Sequence, residues 1–218
     1  MLYGKHGNFF EINAAQPPLL TKAVTDAGTA YDTIAFSQLI LVIAHGSSAC
    51  LRCYIKGDAT LWLYRVSLGV MPGFVGKNGV SASKKEGDGC TPAGLFRLVH
   101  AFGVKEKPYT KAAYISFTEN SYWVVDALSC YNNTWFEGRQ NDGWSSAERL
   151  ADYPREYAYA VIIEYNTAER TPGRGSAVFL HCGNRPTAGC VAIPEPALLN
   201  ILKWLDPDKS PGILITGT

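Results

Sequence analysis

Charge is scarce in this sequence. Lys, Arg, Asp and Glu together make up 18% of its 218 residues and balance to a net +1. Neither the basic field of a nucleic-acid binder nor an acidic tail is present. Long apolar runs are missing as well. The nearest, residues 36–44, stops at His45-Gly46 and has the length of a buried strand, far short of the roughly 20 residues that cross a bilayer. The first residues show no export signal, since Lys5 is followed by Gly7, Asn8 and Glu11 instead of an apolar stretch. Six cysteines at irregular spacing are too few for a disulfide scaffold in a chain this long. Cys50 and Cys53 form a C-x-x-C with no second pair, whereas a structural zinc site takes four ligands. On a strand, residues three apart face opposite sides, so both read as small core residues. The Gly-rich stretch 84–94 lacks a Gly-Lys-Ser/Thr ending and has Pro92 where the dinucleotide fingerprint needs glycine, so both phosphate-loop motifs fail.

What is present is the composition of a globular domain. Apolar residues make up 47%, and a chain of this length buries a core without staples. Residues 1–35 are weakly patterned around Pro17-Pro18 and read as an N-terminal arm or leader; residues 36–218 read as one domain. Strands are expected at 39–44, 50–56, 60–68, 95–102, 114–117, 157–165, 177–181 and 213–216, with a hairpin turn at Gly57-Asp58 and another turn at Gly76-Lys77-Asn78-Gly79. Tyr157, Tyr159, Val161, Ile163 and Tyr165 would share one strand face. Ser145-Ser146-Ala147-Glu148 has the form of a capping box and predicts a short helix closed by Pro154. A second helix, at about 194–205, carries the apolar stripe Leu198, Ile201, Leu202 and Leu205. The fold class is therefore mainly β with a few short helices, in a sandwich or barrel-like arrangement.

The most informative segment runs from Phe179 to Val191. His181 ends an apolar strand, a loop with Gly183 and Pro186 follows, and Gly189 then delivers Cys190 at the head of another short apolar run. Nine residues separate the histidine from the cysteine, enough for the loop to fold back and set them on neighbouring strands. A free thiol titrates near about 8.5, so a neighbouring base is needed for attack on an acyl carbon. Glycine before the nucleophile permits a sharp turn that can aim the Gly189 and Cys190 amides at an oxyanion. Taken singly, His181 and Cys190 read as a satisfied strand-end histidine and a small core residue. Taken together, the catalytic reading stands level with that one.

Thr187-Ala188-Gly189-Cys190-Val191 after His181 resembles the signature of the L,D-transpeptidase catalytic domain of bacterial peptidoglycan enzymes. The segments 75–79, 85–96, 161–166, 175–181 and 202–207 resemble the same family in the same order, so the resemblance covers about 36–218. It implies the family's β-rich fold, a peptidoglycan stem peptide as substrate, and no metal or organic cofactor. Cys190 would form a thioester and release D-alanine, and an amine of a second stem would resolve it into a 3→3 cross-link. By that resemblance Cys190 is the nucleophile, His181 the base, Thr187 the signature hydroxyl and Gly189 the turn glycine. The backbone carbonyl of Cys182 would orient the imidazole. Gly183, Asn184 and Arg185 are candidate substrate contacts.

Three departures from the family pattern stand out. Ala188 replaces a common histidine, Ala192 replaces a common arginine, and the 181–187 loop is short. The implied protein is an extracytoplasmic monomer, with no nucleic acid or membrane span, whose export signal is absent from this sequence. Water as acceptor would make it an L,D-carboxypeptidase or endopeptidase, and a non-catalytic wall-binding module would need no reactive thiol. Two further readings concern surfaces. Lys84, Lys85, Glu86 and Asp88 read as a solvated turn. Trp123, Tyr131, Trp135, Phe136 and Trp144 either line a glycopeptide groove or pack over the β domain. The Cys190–His181 pair is expected at a cleft edge.

Overall fold

The computed structural model describes residues 18–26, 35–57, 62–139 and 142–218. Its strands are β1 (Gln38–His45), β2 (Ser48–Lys56), β3 (Trp62–Tyr64), β4 (Met71–Phe74), β5 (Val80–Ser81), β6 (Thr91–Pro92), β7 (Gly94–Gly103) and β8 (Tyr114–Ser116). They continue with β9 (Ser121–Val124), β10 (Thr134–Glu137), β11 (Ala147–Arg149), β12 (Ala160–Ile163), β13 (Phe179–Cys182), β14 (Val191–Ile193) and β15 (Pro211–Gly217). Two α-helices, α1 (Pro18–Asp26) and α2 (Glu195–Trp204), accompany them.

The main sheet runs β1-β15-β7-β12-β13-β14-β4-β2 and closes on itself through the β1–β2 pairing. It is thus a barrel-like closed sheet, the β-rich class expected from the sequence. Closure removes the open edges that a flat sheet would expose. Two pairs in the circuit are parallel, β1–β15 and β13–β14. The long first strand is apolar from Leu39 to Ala44 because both of its faces are covered. Ile40, Val42 and Ala44 point into the main core, while Leu39 and Leu41 point outward beneath α1. On α1, Leu20, Ala23 and Val24 have i, i+3, i+4 spacing and pack on that outer face with Trp62 and Leu214. Burying Leu20 and Val24 is worth about 1.5–3 kcal/mol each in gross apolar transfer. The rest of the expected arm, residues 1–17 and 27–34, lies outside the described residues.

On α2, Leu198, Ile201 and Leu202, with Leu205 just beyond, seal the main core, the stripe expected for this helix. Strands β7, β12 and β13 divide their side chains between two cores. Leu98, Ala101, Val161, Ile163, Leu180 and Cys182 face the main core. Phe102, Ala160, Ile162 and Phe179 face a second, aromatic core. The small sheet β10-β9-β11 packs over that second face, with the Trp123 ring 4.9 Å from Phe179.

Three local expectations need correction. The Ser145–Glu148 pattern does not open an α-helix: Ala147–Arg149 is strand β11, followed by a single 3-10 turn, Leu150–Asp152. The Ser145 amide and hydroxyl instead donate to Asp126 Oδ2 at 2.8 and 2.7 Å, and Glu148 accepts from the Tyr157 hydroxyl. Tyr157 does not share a face with Val161 and Ile163. It sits in a 3-10 turn, Glu156–Ala158, which rotates it into the aromatic core. Of the strand expected at 60–68, Trp62–Tyr64 forms β3 and Val66–Leu68 is a 3-10 turn; residues 60–61, with Asp58 of the predicted hairpin, lie outside the described residues.

Candidate active site

Alternation along two parallel strands assembles the site. In β13, Leu180 and Cys182 face the main core, so Phe179 and His181 face the aromatic side. In β14, Val191 and Ile193 face the main core, so Ala192, and Cys190 just before the strand, face the aromatic side. The register pairs Leu180 with Val191 and His181 with Ala192. Cys190 therefore lies beside Phe179, one side-chain repeat along the strand from His181. Strand geometry puts their Cα atoms roughly 8 Å apart on one face, and no hydrogen bond joins the thiol to the imidazole: the Sγ is turned to Phe179 and Ala177, and Nδ1 to Cys182.

The thiol is held by backbone. Cys190 Sγ accepts from the Phe179 amide at 3.3 Å and donates to the Ala177 carbonyl at 3.2 Å. His181 Nδ1 lies 2.8 Å from the Cys182 carbonyl, which fixes Nδ1–H as the donor and leaves Nε2 as the basic nitrogen. The Tyr157 ring meets the His181 and Phe179 rings edge-on at 5.8 and 5.7 Å. Far from standing at an open cleft edge, His181 is only 7% exposed. Burial pushes the Cys190 thiol up to about 12, and the nearby Glu148 carboxylate adds to this against the Phe179 amide and Lys84. Burial also pushes His181 below its ordinary value. The resting pair is accordingly a neutral thiol and a neutral imidazole.

The turn glycine and threonine have structural partners. The Gly189 amide donates to Thr187 Oγ1 at 3.1 Å, so it is not aimed at an oxyanion. The Thr187 hydroxyl in turn donates to the Cys190 carbonyl at 2.7 Å. A second hydroxyl, Thr91 Oγ1, donates to the same carbonyl at 2.9 Å and accepts from the Gly76 amide at 2.8 Å. Two hydroxyls from distant segments thus grip the peptide of Cys190. Thr91 had no local signal beyond its place in the Gly89-Cys90-Thr91-Pro92 stretch. Asn133, a polar member of the aromatic stretch that could have lined a groove, instead points inward. Only 1% exposed and with φ of 55°, it spends its whole amide on bridging. Its Oδ1 accepts from Trp123 Nε1 (2.9 Å) and the Ala177 amide (3.1 Å), and its Nδ2 donates to the Tyr165 and Asn166 carbonyls (3.0 and 2.8 Å). It ties the small sheet to Ala177, the residue whose carbonyl receives the thiol proton. Ala177 itself holds a left-handed φ of 52°, a conformation costly for a residue with a side chain.

The candidate substrate contacts are distributed unevenly. Arg185 is ion-paired with Glu156 at 2.8 Å and its side chain is 77% exposed. Against the cost of burial, its own backbone amide and then the Arg185 pairing hold the Glu156 carboxyl below its usual range. Asn184 is exposed on the same loop. Gly183 donates its amide to Ile193, and a Cβ there would sit 3.0 Å from Ala192 Cβ and 3.7 Å from the imidazole, so its smallness makes room for His181. Ala192, where the family often has arginine, is buried.

The remaining predicted features divide. Lys84 is not part of a solvated turn. It is 7% exposed and paired with Asp88 at 2.8 Å, and its stem fills the space that a Cβ on Gly175 or Gly189 would approach, 3.1 and 3.5 Å away. The aromatic residues mostly pack, since Trp123 and Trp144 are buried and Phe136 and Trp135 half-buried within the clusters. All six cysteines are free thiols.

The sequence profile of the L,D-transpeptidase catalytic domain (YkuD) matches residues 40–214, well over half of the chain. The chain belongs to this family. No curated protein matches it at a significant level. L,D-transpeptidases are acyltransferases that act on cell-wall peptidoglycan, and the matched span contains all the residues of the Cys190 site. Helix α1 precedes it. Among the described residues, no helix is long and apolar enough to cross a membrane.

Proposed function

We propose that this L,D-transpeptidase domain, spanning about 36–218, works through a thioester on Cys190 with His181 as its base. The observation that supports the reading is the shared face of β13 and β14, which sets Cys190 and His181 on the same side of the sheet with Nδ1 occupied by the Cys182 carbonyl; a small adjustment on substrate binding would bring Nε2 to the sulfur. The resting thiol is neutral, so its proton passes to Nε2 as sulfur attacks the carbonyl of the stem peptide's third residue. The C–N bond to the D-alanine at the fourth position breaks, and the imidazolium returns the proton to the leaving amine. An amine of a second stem then attacks the thioester, gives its proton to His181 and completes a 3→3 cross-link.

Thr187 and Thr91 act as positioning residues through the Cys190 carbonyl. With the Gly189 amide occupied, the Cys190 amide is the backbone donor assigned to the oxyanion. Asn184 and Arg185, on the loop beside His181, are the assigned contacts for the stem, with Arg185 released from Glu156 when a substrate carboxylate arrives. Because peptidoglycan lies outside the cytoplasmic membrane, action there is part of the proposal.

Incubation with purified disaccharide tetrapeptide, followed by mass spectrometry, tests the reaction. The expected products are 3→3 dimers and free D-alanine, with an acyl adduct on Cys190 in the quenched protein. Shortened monomers without dimers would make water the acceptor. No adduct on Cys190 would overturn the mechanism.

A further inference from the structure

Lys84 stands in the turn that leads to β6, and its side chain is only 5% exposed. This turn is docked on the segment before β13. The Glu86 amide donates to the Gly173 carbonyl at 2.9 Å, and the Ser176 hydroxyl donates to Glu86 Oε2 at 2.9 Å. A Cβ added to Gly175 would meet Lys84 Cε at 3.1 Å and Nζ at 3.5 Å, and one added to Gly189 would meet both at 3.5 Å. Gly175 lies shortly before Ala177, whose carbonyl accepts from the thiol, and Gly189 immediately precedes Cys190. The ammonium is therefore lodged between the two segments that flank the sulfur, in space that both glycines leave open.

Holding a turn does not require burial, and lysine is seldom buried because its ammonium is strongly hydrated. Here Nζ has two acceptors, Asp88 Oδ1 at 2.8 Å and the Lys85 carbonyl at 3.0 Å. An ammonium carries three donors, and among the described residues no acceptor takes the third. Asp88 also accepts from the amides of Lys85 and Cys90, at 2.7 and 2.9 Å. Against the cost of burial, Lys84 and these amides hold the Asp88 carboxyl below its usual range. The other titratable groups around the sulfur bring no second cation. Glu148 on β11 can add only negative charge, while Tyr157 in its 3-10 turn and His181 on β13 are neutral at rest. Arg185 is exposed and engaged by Glu156.

We propose that Lys84 supplies the positive charge of the thiol site: its ammonium favours the sulfur anion from beside Gly189, and Asp88 sets how much of that charge the sulfur feels. Lys84 acts through space, with no hydrogen bond to the sulfur, and the inference rests on Cys190 as the nucleophile. As the thiol proton leaves for His181, negative charge gathers on sulfur, and a fixed cation in a dry surrounding lowers the cost of that step. A unit charge several Å away shifts such an equilibrium by about tenfold, of which the Asp88 countercharge cancels a part.

The test is peptide-resolved alkylation of the full chain by iodoacetamide near neutral pH. The readout is the rate at Cys190 divided by that at Cys182, on the core face of the same strand pair, so that a general loosening of the strands cancels. Lys84→Met keeps the stem and removes the charge, and it should lower the ratio at least about threefold. Asp88→Asn removes the countercharge and should raise it. A role confined to packing would move both variants in the same direction. Melting curves check folding, and Lys84→Gln and Asp88→Ser serve where the first variant is not folded. A smaller fall on loss of the lysine charge, or no rise on loss of the carboxylate, would overturn the proposal. The ratio needs no turnover, so absence of an acyl adduct in the unaltered protein would remove the reaction while leaving the charge at the sulfur to be judged by its own result.

Discussion

The two faces of the β13–β14 pair are built from the same short strands and differ in what surrounds their cysteines. One face presents Leu180, Cys182, Val191 and Ile193 to the main core, an all-apolar surface with a thiol among its aliphatic side chains. The other presents Phe179, His181, Cys190 and Ala192 to an aromatic layer, with backbone amides and carbonyls directed at the sulfur. Both thiols have raised pKa values, Cys182 to about 11 and Cys190 to about 12, chiefly through burial. Acidity therefore does not separate them. The separation comes from the face: strand alternation sets Cys190 on the same side of the sheet as His181 and turns Cys182 into the main core.

The strongest way to break this comparison is to remove each sulfur in turn. Cys190→Ala should abolish both cross-linking and the acyl adduct, while Cys182→Ala should keep most activity and lower stability by about 1 kcal/mol through the small cavity it leaves. Dimer formation and denaturant melts measure both. If Cys182→Ala is the inactive variant, the assignment of faces is wrong. His181→Ala comes next, with an expected loss of about 10²–10⁴-fold in thioester formation. Because the ring is buried, a lower melting temperature should accompany that loss.

Asn133→Ala should have a smaller effect on turnover. It frees the Ala177 amide and leaves the Tyr165 and Asn166 carbonyls without this donor, so a loss of about 1–3 kcal/mol in stability is expected. Alkylation of Cys190 by iodoacetamide should change in rate as its Ala177 partner shifts. An unchanged alkylation rate would reduce Asn133 to a purely structural residue. The smallest effect is on pH dependence. His181 must be neutral to accept a proton, and burial lowers its pKa, so the acid limb of kcat/KM should lie below 6.5. The sign for stability agrees. As pH falls below 6.5, the unfolded chain takes up the proton first, so the folded state loses stability through this window. A pH–rate profile with its acid limb above 6.5 would contradict the buried, neutral imidazole.

The sequence revealed most where structure depends on near neighbours. The apolar stripe of α2 and the run of β1 were legible because a period of 3.6 or a continuous buried strand leaves its mark within ten residues. Cys190 and His181 were legible because nine residues separate them. The capping-box pattern misled because Asp126, 19 residues upstream, takes both donors of Ser145. Tyr157 misled because an alternating pattern runs on through a 3-10 turn that shifts its phase. Thr91 and Asn133 left no spacing signal, since their contacts with the site span 99 and 44 residues.

The parallel pairing of β1 with β15 bears on how the barrel is made. The last strand in the sequence fills the slot between β1 and β7, pairing with both. Until residues 211–217 arrive, two long apolar strands stand with open edges and the circuit cannot shut. Such late, long-range closure makes folding slow and leaves the unfinished chain open to edge-to-edge association. During synthesis the barrel therefore stays unlocked until residues 211–217 have left the ribosome, and a partner that shields those edges meanwhile would act on the yield of active protein and not on its chemistry.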